Sequence, residues 1–278
     1  MPEIREITAE RILSPTQLAP ADYTINPYRG CQFGCLYCYA QWNKAARKSE
    51  RRWGQYVDVK INAAELLAKE LQGVDGGTVM IGSTTETYQP LEAKYNLTRA
   101  VLEKLADSAM SVILLTRSDL VVRDIDILKR IQNVLICYTL NTTDNTVIRA
   151  FEPRSPLVEQ RLAALRKLHE NGIPVYLHVG PCLPELTDPL KLMSAVDGIV
   201  HRVDFENLNL KMVSWTALLS VLHRHFPHLI DMYERIYRDK ETFVSYWDEL
   251  RQRIDAVRGQ FQFDTNIRFH PFDSYFAP

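Results

Sequence analysis

The sequence has no apolar run long enough to cross a bilayer, and its first residues carry Glu3, Arg5, Glu6, Glu10 and Arg11 where a signal peptide needs an apolar stretch. A cytoplasmic protein without a membrane partner is therefore expected. Net charge is equally scarce: 33 Lys and Arg stand against 34 Asp and Glu, a formal charge of -1, so no global basic field marks the chain as a nucleic-acid binder. Partners have to be argued from local sites. No internal repeat, low-complexity tract or Gly/Ser linker is present. The five cysteines are an odd number and too unevenly placed for a disulfide framework, because Cys31, Cys35 and Cys38 crowd into one loop while Cys137 and Cys182 lie far downstream in apolar segments. What the chain does have is core material: 46% of its 278 residues are hydrophobic and 24% charged, enough for one generous domain or two small ones.

From residue 60 to about 205, short β-branched runs alternate with amphipathic helical stretches, the pattern of repeated βα units around a parallel sheet. Strands are predicted at Tyr23 to Ile25, Thr78 to Ile81, Val112 to Leu115, Val134 to Leu140, Ile173 to Val179 and Ile199 to Phe205. Helices are predicted between them. Asn62 with Glu65 reads as a capping box for Ala63 to Leu71, and Ser155-Pro156 as the cap and first turn of a helix that ends at Asn171-Gly172. Six strands are fewer than the eight of a closed barrel, so the expected fold is α/β, a partial (open) TIM-like βα barrel of about six parallel strands with its active face at the strands' C-terminal ends. After residue 210 the texture turns to long helical segments, Trp215 to His225 and Asp231 to Arg258, with a short run at Phe261 to Phe269 whose alternation suggests a last strand. The division expected is 1-210 for the barrel and 211-278 for a mostly helical C-terminal extension packed on it.

Cys31-x3-Cys35-x2-Cys38 brings three thiolates from one loop, and Gly30 and Gly34 relieve the backbone crowding there. A closed zinc site wants four ligands, and the nearest histidine in sequence, His169, is far away. A cubane [4Fe-4S] cluster takes one Cys per iron, so three cysteines leave one iron open to a small molecule.

The loop Cys31-Gln32-Phe33-Gly34-Cys35-Leu36-Tyr37-Cys38-Tyr39 resembles the CxxxCxxC signature of radical S-adenosylmethionine enzymes, including the aromatic residue before the third cysteine. Its flanks Asn26-Pro27-Tyr28-Arg29-Gly30 and Tyr39-Ala40, together with Ser83 to Glu92, Leu115 to Ser118, Phe151 to Arg154 and Pro181 to Pro184, are similar to the branch related to spore photoproduct lyase, a DNA-repair enzyme. The resemblance implies a [4Fe-4S] cluster on Cys31, Cys35 and Cys38 whose open iron chelates S-adenosylmethionine. One-electron cleavage of the sulfonium then gives a 5′-deoxyadenosyl radical that abstracts hydrogen from a substrate. It also implies an external electron donor such as flavodoxin or ferredoxin.

Residues expected beside the cofactor follow from that resemblance. Tyr37 and Tyr39 flank the third cysteine. Ser83, Thr84 and Glu86 occupy the segment after the second barrel strand that approaches the cofactor's amino group in the superfamily, although Ser and Thr there equally serve turns. Thr116 and Asn141 close the third and fourth strands, and Arg154 is expected to clamp the methionine carboxylate. Cys182, after the fifth strand, is a candidate hydrogen-atom donor, with a buried structural thiol as the alternative. His178 is either barrel-lining or buried, and Cys137 is packing.

Just past the cluster loop, Lys44, Arg47, Lys48, Arg51 and Arg52 face one acidic neighbour, Glu50, between Trp42 and Trp53. Such a run serves either nucleic-acid phosphates and stacked bases or a solvated helix face. The leading expectation is radical chemistry on a nucleic-acid base, by repair or modification; the alternatives are the same chemistry on a peptide or small metabolite, or a non-catalytic metal-binding redox protein.

Overall fold

The computed structural model describes residues 2–43, 46 and 50–275. Its strands are β1 (Glu3–Ile7), β2 (Ser14–Pro15), β3 (Tyr23–Ile25), β4 (Tyr28–Gly30), β5 (Tyr56–Lys60), β6 (Gly77–Ile81), β7 (Met110–Thr116), β8 (Val134–Thr139), β9 (Val175–Cys182), β10 (Arg202–Asn207) and β11 (Asp264–Arg268). The main sheet runs β11-β10-β9-β8-β7-β6-β3-β2. From β3 to β11 every neighbouring pair is parallel, and β2 closes the edge antiparallel to β3. The result is a partial βα barrel with C-terminal helices beyond it.

The six strands expected from periodicity are β3 and β6 to β10. The tail adds a seventh, because Asp264–Arg268 pairs with Arg202–Glu206 in register and so extends the barrel rather than only covering it. A second sheet, β1-β5-β4, has no counterpart among the expected strands. β1 is charged and largely exposed, so its strand state comes from pairing with β5 and not from an apolar pattern.

Alternation places the side chains as a strand must. In β9, Val175, Leu177 and Val179 are buried in the core, while the half-buried Tyr176 and His178 take the opposite face, from which His178 lines the barrel's cavity. The helix Val158–Glu170 buries Val158, Arg161, Ala164, Leu165 and Leu168, an i, i+3, i+4 stripe. It starts at Val158 and not at Ser155-Pro156: the Gln160 side chain accepts from the Leu157 amide, and Ser155 is drawn elsewhere, as described below. Asn62 likewise does not cap its helix; its side-chain amide instead pairs with both backbone groups of Ala9, tying the N-terminal strand region down.

The expected helix Asp231 to Arg258 is two helices, Ile230–Arg238 and Lys240–Val257, broken where Asp239 turns extended and accepts from the Thr242 amide. Both bury aromatic faces, Tyr233 and Tyr237 in the first, Phe243 and Trp247 in the second, in the same apolar core as the barrel. No helix among the described residues is long and apolar enough to cross a membrane.

Candidate active site

A cavity of about 410 Å³ opens at the C-terminal ends of the parallel strands, the end where such barrels place chemistry. Residues after β6, at the ends of β7 and β8, on β9, at the end of β10 and just after β11 line it, and the cysteine loop closes one side.

The loop supplies all three thiols to this cavity, Cys31 and Cys35 buried and Cys38 half-buried, and none forms a disulfide. Its sharp course depends on two glycines. Gly30 has φ +85°, and a Cβ there would sit 2.4 Å from the Tyr56 carbonyl oxygen. Gly34 has φ +61°, and its Cβ would lie 2.8 Å from Arg154 Nη2 and 3.0 Å from the Gly54 Cα. Burial pushes all three thiols up, Cys38 to about 12. Backbone groups of Phe33 and Gly34 favour ionised Cys31, those of Ala40 and Gln41 ionised Cys38, and the Arg117 guanidinium favours ionised Cys35. Buried thiols with such partners ionise when metal supplies the missing positive charge. Among the described residues no group of three or more His, Cys, Asp or Glu side chains is spaced to hold one metal ion; a cluster that takes one thiolate per iron asks for no such single point. The donor set fits a [4Fe-4S] cluster.

Beside the thiols, the segment after β6 is stitched to the cysteine loop and its approach. Asn26 Nδ2 donates to Ser83 Oγ (3.1 Å) and its Oδ1 accepts from the Thr84 amide (2.9 Å); Thr85 Oγ1 donates to the Gly30 carbonyl (2.6 Å). Gln89 Oε1 accepts from the Gln32 amide at 2.8 Å, and Tyr39 OH donates to the Ser83 carbonyl. Glu86 is clasped from below: Oε1 accepts from the Tyr88 amide (3.0 Å) and Thr116 Oγ1 (2.7 Å), and Oε2 from the Arg117 amide (3.0 Å). Burial raises its carboxyl pKa against those hydrogen bonds. The Thr116 hydroxyl is therefore committed to holding Glu86, although both line the cavity.

A buried polar network backs the loop. Tyr37 OH donates to Glu152 Oε1 and accepts from Arg117 Nη1 (2.8 Å) and Asn141 Nδ2 (2.7 Å). Glu152 is also bonded by Arg161, by Ser155 Oγ at 2.9 Å, and by Arg117 Nη1 at 3.1 Å from Oε1. Burial alone would raise the Glu152 carboxyl, but the Arg161 and Arg117 guanidiniums hold it well below the usual range.

The far wall comes from β9, β10 and the turn after β11. His270 Nε2 lies 2.6 Å from Glu206 Oε1, and His178 Nε2 lies 3.6 Å from Glu206 Oε2. Burial lowers the His178 pKa, opposed by Glu206 and Asp204 and reinforced by Arg117 and Arg268.

The structure departs from the sequence expectations at several positions. Arg154 does not line the cavity: its guanidinium donates to the Gly54 carbonyl and packs against Gly34, on the outer side of the loop. The arginine that reaches the cavity is Arg117, whose place at the end of β7 follows from the strand pattern but whose direction does not. Asn141 is buried behind Tyr37 and does not line the cavity; its Oδ1 has no partner among the described residues. Cys182 is 1% exposed, donates weakly to the Val179 carbonyl and sits in the core beside the cavity rather than in its lining.

In the basic run, Lys44, Arg47 and Lys48 lie outside the described residues. Arg51 turns back onto Asp58, with Nη1 and Nη2 at 2.9 and 2.7 Å from the carboxylate, and stacks over Tyr56. Sequence reasoning misses Glu206 and His270; Asn26, Gln89 and Arg117 fall in segments that carry the resemblance, and Trp53 at the edge of the basic run, but none is given a place at the site.

Residues 25–191 match the model of the radical SAM superfamily. An uncharacterized protein of Methanocaldococcus jannaschii is 33% identical over 262 residues, covering 92% of this chain and 96% of that protein. Spore photoproduct lyase complexed with dinucleoside spore photoproduct superposes with a TM-score of 0.68 at 18% identity, over 96% of this chain and 82% of that one. A variant of the lyase with bound AdoMet and the same dinucleoside gives 0.59 at 18% identity, over 81% and 66%. At that identity the lyases speak for the fold; the match over the cysteine loop and the barrel, with the three thiols turned into one cavity, places the chain in the radical SAM superfamily.

Proposed function

We propose that this radical SAM enzyme acts on a nucleic-acid base, in repair or modification. The observation that carries the reading is the shape of the cavity mouth. Tyr39, 48% exposed, lines the cavity from the cysteine loop, and Trp42, 37% exposed, lies one turn further along the same short helix outside the lining. Exposed aromatic faces next to a reaction cavity suit a splayed-out base, since every base has a π-face to stack. The dinucleoside held by the lyase of the same fold supports the same class of substrate.

Cys31, Cys35 and Cys38 would hold three irons, leaving the fourth for the amino and carboxylate groups of S-adenosylmethionine. Bound together, cluster and cofactor supply reductive cleavage of the sulfonium and hydrogen abstraction, with the electron drawn from an external donor of the flavodoxin or ferredoxin kind. The chain's own residues position and shield. Glu86, fixed by Thr116 and two backbone amides, offers its carboxylate to an ammonium, and Ser83 and Thr84 shape the same wall. Tyr37 anchors the loop through Glu152, while Arg117 places one positive charge beside Cys35.

The test is binding of fluorescent single-stranded DNA and RNA to the anaerobically loaded enzyme across salt. Tyr39→Ala should weaken it by about 1–3 kcal/mol, the worth of one stacked base. Affinity unchanged by Tyr39→Ala, and equal for unrelated polyanions, would move the substrate to a peptide or metabolite.

A further inference from the structure

The wall of the cavity formed by β9, β10 and the turn after β11 carries three polar side chains that share its lining with the cysteine loop. His178, Glu206 and His270 come from three different strands or their ends, yet their side chains converge on one carboxylate. The arrangement is held on each side. Asn207 Oδ1 accepts from the His270 amide (2.8 Å) and Asn207 Nδ2 donates to its carbonyl (3.2 Å), pinning the turn after β11 to the end of β10. The His178 ring lies against the backbone at Gly180, where a Cβ would come within 2.0 Å of Nε2, so a larger residue there would push the ring from this position.

All three side chains line the cavity and remain 30%, 39% and 40% exposed for His178, Glu206 and His270. Among the described residues no hydrogen bond occupies Nδ1 of either ring. A carboxylate is an acceptor, and a neutral imidazole donates from one nitrogen. Side by side, 3.6 Å apart at Glu206 and His178, they present an acceptor next to a donor.

We propose that His178, Glu206 and His270 form a substrate clamp that takes the edge of a planar ring on which an N–H sits beside a carbonyl or ring-nitrogen acceptor. Cyclic amides, imides and amidines carry such an edge. The trans peptide bond does not, because it directs N–H and C=O to opposite sides. The inference rests on the nucleic-acid reading above for the kind of ring, and on this wall alone for the residues. Glu206 is the specificity-determining acceptor; His270 fixes its Oε1, and Gly180 seats His178.

The experiment titrates anaerobic, cofactor-loaded protein with two probe pairs: thymidine against its ring-N-methylated analogue, and succinimide against N-methylsuccinimide. Heat of binding and the imidazole NMR signals of His178 and His270 are followed. Thymidine should bind about tenfold or more tightly than the methylated form, the worth of one hydrogen bond to a charged acceptor. Glu206→Gln, which loses the charge but keeps a neutral acceptor, should cut that ratio to about a few-fold, and Glu206→Leu, which keeps no acceptor, should erase it, both leaving the weak binding of the methylated probe as it was, which a general loss of structure would not do. Gly180→Ala, by displacing the His178 ring, should shrink the ratio as well.

If Glu206→Gln does not fold, the wild-type ratio still decides. Equal binding of thymidine and its methylated form overturns the clamp while leaving a nucleic-acid substrate in place. A response to succinimide but not to N-methylsuccinimide, with no response to nucleosides, supports the clamp and overturns the nucleic-acid reading. Silence toward both pairs overturns the clamp.

Discussion

The two walls of the cavity are built on opposite principles. On the cysteine side the polar side chains are tied largely to one another: Thr85, Gln89, Asn26 and Tyr39 fasten loop to strand end, and behind them Tyr37, Glu152, Arg117 and Arg161 form a buried charged network, with Trp53 Nε1 and Asn141 Oδ1 left unpartnered among the described residues. On the β9–β11 side the three polar groups stay partly open to the cavity and are held mainly by Asn207 and the space above Gly180. A wall that carries a cluster and a reactive cofactor has to be rigid before either arrives. A wall that meets a substrate keeps hydrogen-bonding capacity in reserve, since a group already satisfied by the protein adds nothing to recognition.

Substitutions that strike the cysteine wall should therefore have the larger consequences. The largest effect is expected from Cys31→Ala, Cys35→Ala or Cys38→Ala: iron analysis of anaerobically reconstituted protein should fall from about four irons per chain, the content of one cubane, to a small fraction of that. Cys137→Ala, a buried thiol in β8 that does not line the cavity, should retain the full amount. Equal iron in all four variants would remove the cluster from this loop.

Next comes Glu152→Gln, which leaves Arg161 and Arg117 with uncompensated buried charge. Denaturant unfolding should show a loss of about 3–5 kcal/mol near neutral pH. The pH dependence has a definite sign. Because the folded-state pKa of Glu152 is depressed, its stabilisation is full above its unfolded value, about 4.3, and is lost as pH falls toward the lower folded value. Wild type should thus approach the variant on acidification. A gap that stays constant down to strong acid would contradict the network's electrostatic role.

A smaller loss is expected at the loop's turn. Gly34→Ala forces a Cβ onto left-handed backbone and against the Gly54 Cα, at a cost of about 1–2 kcal/mol from conformation alone. The thermal midpoint of the cluster-free protein and its iron uptake should both drop; an unchanged midpoint would mean that Gly54 and Arg154 yield easily.

The slightest effect, and the one bearing on the open side, concerns the basic run. Reversing Lys44 and Arg52 should flatten the slope of log affinity for DNA or RNA against log salt by about one unit for each phosphate that is no longer neutralised. Arg51→Glu would instead break the Asp58 pair, so a fall in stability there would say nothing about phosphates. An unchanged slope in the Lys44 and Arg52 reversal returns the run to a solvated face.

Much of the barrel is legible in the sequence because its signals are local. Alternation in Val175 to Val179 and the leucine spacing of Val158–Glu170 do not depend on what packs against them. β1 is invisible at that level, since Glu3–Ile7 becomes a strand only beside β5. Local pattern marks Asn62 and Ser155 as caps, yet Asn62 is claimed by distant Ala9, and Ser155 by its near neighbours Glu152 and Arg161, which belong to the buried network behind the cysteine loop. Capping and turn signals are worth about 1 kcal/mol, which a tertiary hydrogen bond readily matches.

The sequence by itself determined that three thiols meet at one cavity, because three cysteines within one short turn have nowhere to go but the same place, and Gly30 and Gly34 are there to let them. It also determined the kind of scaffold, through the βα rhythm. Which arginine faces the cavity, Arg117 and not Arg154, was decided only in three dimensions, as was the burial of Cys182 and the meeting of His178, Glu206 and His270. Those three are far apart along the chain, and nothing in the sequence near any one of them names the others. Parallel register sets their positions on β9, on β10 and just after β11, and register is a property of the assembled sheet.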